Sequence, residues 1–316
     1  MKNIFLPCLC LFLLFCLCGC GVEYPESNES LLDAALEEGA EEAEQAGYNF
    51  LFISDTAKAS SGNYSGLKNM MDLAVQELPE ISFILHGGDV VNSSQDESDW
   101  ASYWDAMAAV KDIPTYVSWG EKDGQQLSSY YTLPENGPSD LLHHFYSFSY
   151  ENAHFIFLDS AYMGLQRPEY VNWLRNDLTN SGREWNILVC HYPLYPAADL
   201  SNDVERAQAQ RSIWDSSLKE LGIDLVLSGH QHLYMRSKPV SGGELSPDGP
   251  IHIQVNSGGL YTIQVSDFPY IEQSYVTESN FCHFNISGKT LNMTAYDEAM
   301  QPIDSLTLTK DAAPTD

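Results

Sequence analysis

Basic residues are scarce in this chain. Its 316 residues include 15 lysines and arginines against 44 aspartates and glutamates, a formal net charge of -29. Such a surface repels phosphate backbones and anionic lipid at long range, which argues against nucleic-acid binding. An anionic small substrate would need a local, strongly positive anchor. Cysteine is scarcer than its count of seven suggests, because Cys8, Cys10, Cys16, Cys18 and Cys20 all lie in the first twenty residues. Only Cys190 and Cys282 remain, so the domain is not a disulfide scaffold. Cys190 sits inside an apolar run and reads as a small buried hydrophobe. Long apolar runs are missing too. The run from Ile4 to Leu17 is short of the roughly twenty residues that a membrane-spanning helix needs.

That run has the shape of a signal. Lys2 supplies a positive start, Ile4 to Leu17 an apolar centre, and Gly19 a small residue before Cys20. The ending Leu17-Cys18-Gly19-Cys20 resembles a bacterial lipoprotein signal, whose last cysteine becomes the lipidated N-terminus. The expectation is a signal over 1–20, a lipid anchor to the membrane at Cys20 and a domain working outside the cytoplasm. An uncleaved anchor or an ordinary secretory signal are the alternatives. From Gly21 to Gly47 there are nine acidic residues and no basic one, which reads as a solvated, self-repelling tether over 21–47. The folded domain is expected over 48–312, long enough for one large α/β core.

Within it, short apolar runs bounded by turn chemistry alternate with helical periodicity. Strands are expected at Asn49–Ser54, Ile81–Leu85, Thr115–Trp119, Asn186–Cys190 and Leu225–Ser228. Between them lie a helix with Leu67, Met71, Ala74 and Leu78 on one face, closed by Pro79, and one with Trp100, Tyr103, Trp104, Met107 and Val110. That aromatic stripe is core packing. Phe145–Tyr150 and His154–Leu158 read as an antiparallel pair, followed by a helix from Pro168 to about Leu178. A further helix ends at Leu221, before Gly222. Alternating strands and helices imply right-handed β-α-β units and a largely parallel sheet. Beyond it, Ile251–Val255, Leu260–Val265, Phe281–Ile286, Leu291–Tyr296 and Ser305–Leu308 look all-strand, with hairpin turns at Gly258-Gly259 and Ser287-Gly288. This segment is expected to form a second sheet packed on the first, with helices outside.

The chemistry concentrates where the strands stop. Leu225–Ser228 runs into Gly229-His230-Gln231-His232, a glycine for a sharp turn followed by two imidazoles one residue apart. An H-x-H pair alone discriminates poorly. The same construction recurs, however: the other four strands end at Asp55, Asp89, Glu121 and His191. Ligands bind beyond the carboxyl ends of parallel strands. Residues spread over nearly 180 positions are therefore expected to meet at one sheet edge. Mixed carboxylate and imidazole donors suit divalent transition ions.

On these residues the chain from about Tyr48 to Lys310 resembles the calcineurin-like metallophosphoesterases, most of all their purple-acid-phosphatase-like branch. Phe148–Ser160, His191-Tyr192-Pro193-Leu194-Tyr195 and Gly229–Arg236 carry the same likeness. The resemblance implies an α/β fold of two mixed sheets packed as a sandwich and flanked by helices. It also implies one or two divalent or trivalent ions (iron, manganese or zinc). The implied activity is phosphate-ester hydrolysis by attack of a metal-bound hydroxide, on a phosphorylated small molecule or a phosphodiester. Carried over by position, Asp55, Asp89 and His232 hold one ion. Asp89 as bridge, Glu121, His191 and His230 hold the other.

Three departures bear on activity. Ala57 replaces the histidine of the first motif, and Asn92 stands where purple acid phosphatases use a tyrosine. Glu121 replaces an asparagine. Lys122 replaces the substrate-facing histidine; it can clamp a phosphoryl oxygen as a point charge, or fill space where a metal would sit. The alternative function is a catalytically impaired surface binding protein with the same fold. Of the other polar residues, His143-His144 reads as a solvated pair, His86 as structural with support of a metal ligand the alternative, and Asp159 as a strand end without a motif partner. Arg167, Arg206 and Arg211 are possible phosphate contacts; Gln125 to His144 is a Tyr-rich stretch without clear periodicity, and the aromatics from Tyr130-Tyr131 to Phe145 are a possible roof.

Overall fold

A computed structural model describes residues 47–57, 63–164, 167–259 and 263–310. The expected signal and nearly all of the expected tether lie outside the described residues. No described helix is long and apolar enough to cross a membrane.

The chain builds two sheets. β1 (Tyr48–Ile53), β2 (Ile81–His86) and β3 (Thr115–Val117) run parallel, linked by helices α1 (Ser65–Glu77) and α2 (Glu97–Ala106). α1 stops at Leu78 because the residue before Pro79 is driven into extended backbone. Asp96 starts α2, its carboxylate accepting from Ser98 N–H. The chain then crosses to the second sheet through the Tyr-rich stretch. There β4 (Phe145–Tyr150) and β5 (Ala153–Leu158) form a hairpin, and β6 (Trp185–Val189) and β7 (Leu225–Ser228) run parallel to β5. Their connections hold α3 (Leu127–Tyr130), α4 (Ser160–Met163), α5 (Pro168–Ser181) and α6 (Ser201–Glu220). α5 has proline in its first turn and ends on Gly182 at φ 58°.

The C-terminal strands do not form a sheet of their own. β8 (Tyr234–Ser237), β11 (Ile251–Gln254) and β12 (Ile271–Tyr275) extend the second sheet, giving the order β12-β8-β11-β7-β6-β5-β4. β13 (Asn280–Ser287), β14 (Thr290–Asp297) and β15 (Pro302–Thr309) return to the first, giving β15-β14-β13-β1-β2-β3. β9 (Val240–Ser241) and β10 (Glu244–Leu245) make a small hairpin. The expected strand over 260–265 is not found at its described residues 263–265, and Gly258-Gly259 is not a hairpin turn. Instead, a Cβ on Gly258 would lie 2.4 Å from the carbonyl oxygens of Asp55 and Ala57. That glycine is there for a close approach of two chain segments.

Alternation along the strands shows why both faces are apolar. Phe155, Phe157, Ile187, Val189, Leu225 and Leu227 face inward between the sheets. Ile156, Leu158, Leu188, Cys190 and Val226 face outward under Leu174, Leu178, Trp214 and Leu218 of α5 and α6. At the centre Phe50 stacks on Phe284 at 4.8 Å and on Phe83 at 5.1 Å, and meets Phe155 of the opposite sheet edge-on at 5.3 Å. This is an α/β/β/α sandwich. Two ion pairs stitch its layers: Asp304 of β15 takes both Arg236 nitrogens, at 2.6 and 3.1 Å, and Lys310 reaches Asp224 at 2.6 Å.

Candidate metal centre

The three carboxylates and the three imidazoles come from opposite sheets. Asp55, Asp89 and Glu121 follow β1, β2 and β3 of the six-stranded sheet. His191 follows β6, and His230 and His232 follow β7, in the seven-stranded sheet. The expectation of one shared sheet edge is therefore corrected: the residues meet across the mouth of the sandwich. The backbone at Asp55, Asp89, His230 and His232 lies in the left-handed region, φ 53°, 56°, 72° and 48°. Asp and His tolerate that region better than most residues, and such turns cluster at functional sites. Gly229 was expected to supply the turn itself. Its role is space: a Cβ there would lie 2.1 Å from Asp55 Oδ2.

Two triads of donor atoms converge within 4.8 Å, Glu121/His191/His230 and Asp55/Asp89/His191, and His232 Nε2 lies 3.5 Å from Asp55 Oδ1. The aim of each ring is fixed from behind. His191 donates from Nδ1 to the Gly87 carbonyl at 2.8 Å, so Nε2 points inward, 2.7 Å from Glu121 Oε2 and 3.7 Å from Asp89 Oδ1. His230 donates from Nε2 to Asp203 Oδ1 at 3.0 Å, which leaves Nδ1 inward, 3.3 Å from Glu121 Oε1. Two of the inward atoms, Asp55 Oδ1 and His230 Nδ1, are buried without a hydrogen bond. Each instead faces an ionisable group of the opposite sheet, Asp55 Oδ1 at 3.5 Å from His232 Nε2 and His230 Nδ1 at 3.3 Å from Glu121 Oε1. The donor set fits a divalent ion, and the polar atoms it lacks partners for are the ones an ion would take.

The electrostatics match. Burial alone would lower the His191 imidazole, but the Asp89 charge and the Glu121 hydrogen bond, with Asp55, raise it to about 10. Burial opposes protonation at His230 too and is outweighed by Asp203 and Glu121. Burial would raise the Glu121 and Asp55 carboxyls, yet their histidine partners hold both below the usual carboxylate range.

Lys122 lies at the cluster, but its ammonium contacts Asp89 Oδ2, while its backbone N–H donates to Asp89 Oδ1 at 2.9 Å. The adjacent Glu121 carboxylate faces His191 and His230 instead. Ala57 is fully buried, its N–H bonded to the Asp89 carbonyl, and Asn92 is exposed. His86 supports the Asp89 turn. Gly88 N–H donates to its Nδ1 at 3.0 Å, and Nε2 meets Thr56 Oγ1, which in turn donates to Val90 O. Burial pushes this imidazole down to about 3, so it is neutral.

Two participants went unread in the sequence. Asp123 accepts from the N–H groups of Asp89, Val90 and Gly120, pinning the first sheet's loops together. It lies in the Gly120–Asp123 motif, and that was its only signal. Asp203, on α6, holds both His230 and Gln231 Nε2. In sequence it is an ordinary acid in a helix's first turn.

Other expectations are corrected. His144 is not a solvated residue: it bonds Asp159 at 2.7 Å and stacks on Trp119 at 4.2 Å, which also gives Asp159 its partner. Tyr130 stacks on Trp100 and Tyr131 is buried in the core, so that part of the stretch packs under α2 rather than over the site. Arg167 pairs with exposed Asp140, and Arg211 with the Leu194 carbonyl. Arg206 lies 3.6 Å over the Tyr192 ring, which also meets the rings of His230 at 4.4 Å and His191 at 5.1 Å.

The calcineurin-like phosphoesterase family model matches residues 48–234. This chain belongs to that family. Curated relatives include purple acid phosphatase 18 of Arabidopsis thaliana, 26% identical over 62% of this chain and 48% of its own length. Purple acid phosphatase 15 of the same plant is 32% identical over 44% of this chain and 26% of its own. The chain thus spans about half or less of the length of these relatives. Among solved structures, a purple acid phosphatase from yellow lupin (Lupinus luteus) seeds superposes with TM-score 0.74 at 16% identity, over 84% of this chain and 54% of the lupin one. The Plasmodium protein described as the anchor in the inner membrane complex gives 0.64 at 17%, over 84% and 90%. At that identity both show the fold alone. The resemblance to purple acid phosphatases read from the motifs is borne out, as is the sandwich. The family depends on a dinuclear metal centre.

Proposed function

We propose that this chain hydrolyses phosphate esters at the mouth of the sandwich, with metal held by Asp55, Asp89, Glu121, His191, His230 and His232. The observation that carries the reading is the meeting of three carboxylates and three imidazoles from opposite sheets, with Asp55 Oδ1 and His230 Nδ1 buried and lacking hydrogen bonds. Bound there, a divalent ion supplies Lewis acidity toward a phosphoryl oxygen and activates a water nucleophile. The protein's own groups do the rest. The Gly87 carbonyl and Asp203 fix which nitrogen of His191 and His230 faces the centre. Lys122 and Arg206 supply positive charge in a strongly acidic molecule, where an anionic ester would otherwise be repelled.

A second reading has its own support. The Lys122 ammonium on Asp89 and the methyl of Ala57 both favour a binding protein with an impaired centre. The test is hydrolysis of an aryl phosphate by protein stripped of metal and reloaded with manganese, iron or zinc. Turnover that vanishes with chelator and returns with metal supports the hydrolase. Neither binding nor turnover with any of the three would leave the binding-protein reading.

A further inference from the structure

We infer that Lys122 is a resident cation of this centre, and that the chain holds one divalent ion, on Glu121, His191 and His230, rather than two. The inference rests on the metal-binding reading above and narrows its six candidate ligands to three.

Asp89 is the residue through which the two halves of the site would share charge. Its carboxylate is wholly buried, and Lys122 occupies both of its oxygens, the ammonium at Oδ2 and the backbone N–H at Oδ1. A second ion using Asp89 would have to displace an ammonium from a buried carboxylate, and separating such a pair is strongly unfavourable. The half of the site next to Lys122 has no more protein ligands than the other. It has Asp55, Asp89 and His232. Position 57 offers a methyl group, position 92 is exposed, and Asp55 Oδ2 is already taken by Ser54 Oγ and His230 N–H, both at 2.8 Å.

On the opposite half no lysine or arginine pairs with the ligands among the described residues. Glu121, His191 and His230 bring one carboxylate and two imidazoles within 4.8 Å, each ring locked from behind by a carbonyl or a carboxylate. Two histidines and a glutamate are a sufficient protein set for a single hydrolytic ion with an open position. The locked outer nitrogens are the supports that such ligands need. One ion and one ammonium thus divide between them the work that two ions do elsewhere in the family. The sequence change at 122 and the losses at 57 and 92 then describe one event instead of three separate defects.

The experiment counts metal. Full-length protein is loaded with manganese or zinc, desalted and measured by elemental analysis, beside Lys122→Leu and Lys122→Ala. The expected result is one ion per chain in the unaltered protein and two in a variant whose circular dichroism is unchanged. Manganese-loaded samples should give an uncoupled six-line paramagnetic resonance spectrum before the change and an exchange-coupled one after it. Two ions in the unaltered protein would overturn this inference and leave the hydrolase reading standing. One ion in the unaltered protein and in both folded variants would overturn the role of Lys122. No ion in any of them would overturn both.

Discussion

Metal binding at this site should expel protons, and the number can be worked from the structure. In the metal-free protein His191 holds its proton up to about pH 10, because the Asp89, Glu121 and Asp55 carboxylates outweigh its burial. Nδ1–H is committed to the Gly87 carbonyl, so the proton that must leave is the one on Nε2, between Glu121 and Asp89. At pH 7 that removal costs three pH units at about 1.4 kcal/mol each, roughly 4 kcal/mol, or a thousandfold in apparent affinity. His230, raised by Asp203 and Glu121, adds to the release in the same direction. Zinc titrated calorimetrically at pH 7, in two buffers of different ionisation enthalpy, should report between one and two protons released per ion. The Kd should fall at least tenfold for each unit from pH 6 to 8. The sign for the metal-free fold is opposite. Its raised His191 contributes stability in full below about pH 6.5, and that contribution is lost as pH climbs through about 10. Release of less than half a proton, or a Kd flat with pH, would refute the picture of imidazolium–carboxylate pairs standing in for the ion.

Three further outcomes are expected. Asp304→Ala leaves Arg236 and the Tyr234 hydroxyl without their shared carboxylate, so urea unfolding should show a loss of about 3 to 5 kcal/mol, much of it recovered in Arg236→Met/Asp304→Leu. No recovery in the double variant would refute the view that the loss comes from an unpaired buried charge. Burial holds His86 and His252 down to about 3, so both stay neutral while the unfolded chain takes up protons below about pH 6.5. Stability should be complete above that pH and fall by up to roughly 2.7 kcal/mol per unit toward pH 4, with His252→Leu halving the slope in urea titrations. Cys20→Ala should move the protein from the membrane fraction to the soluble one, provided it is still secreted; an unchanged distribution would dispose of the lipid anchor.

Strand positions and strand ends were legible because a buried strand announces itself by an apolar run, and a ligand at its end by residue type. The six residues now found together were named from that alone. Which sheet each strand joins was not legible. β1 and β6 look alike in sequence, both buried on two faces, and only their pairing partners separate them, β5 for β6 and, from the far end of the chain, β13 for β1. β12 was missed because four of its five residues are exposed and carry no apolar alternation. Residues 263–265 were read as part of a strand because Ile263 and Val265 alternate with Gln264, but those two side chains pack on Ala197, Leu233 and Met235 outside any strand. Asp203 escaped because its importance depends on where α6 docks, which nothing local encodes.

The division of acids and imidazoles between the two sheets has a mechanical consequence. Whatever ion sits among them is a rivet through both plates, and the spacing of the plates is its gauge. Sliding one layer against the other would pull every carboxylate from every ring at once.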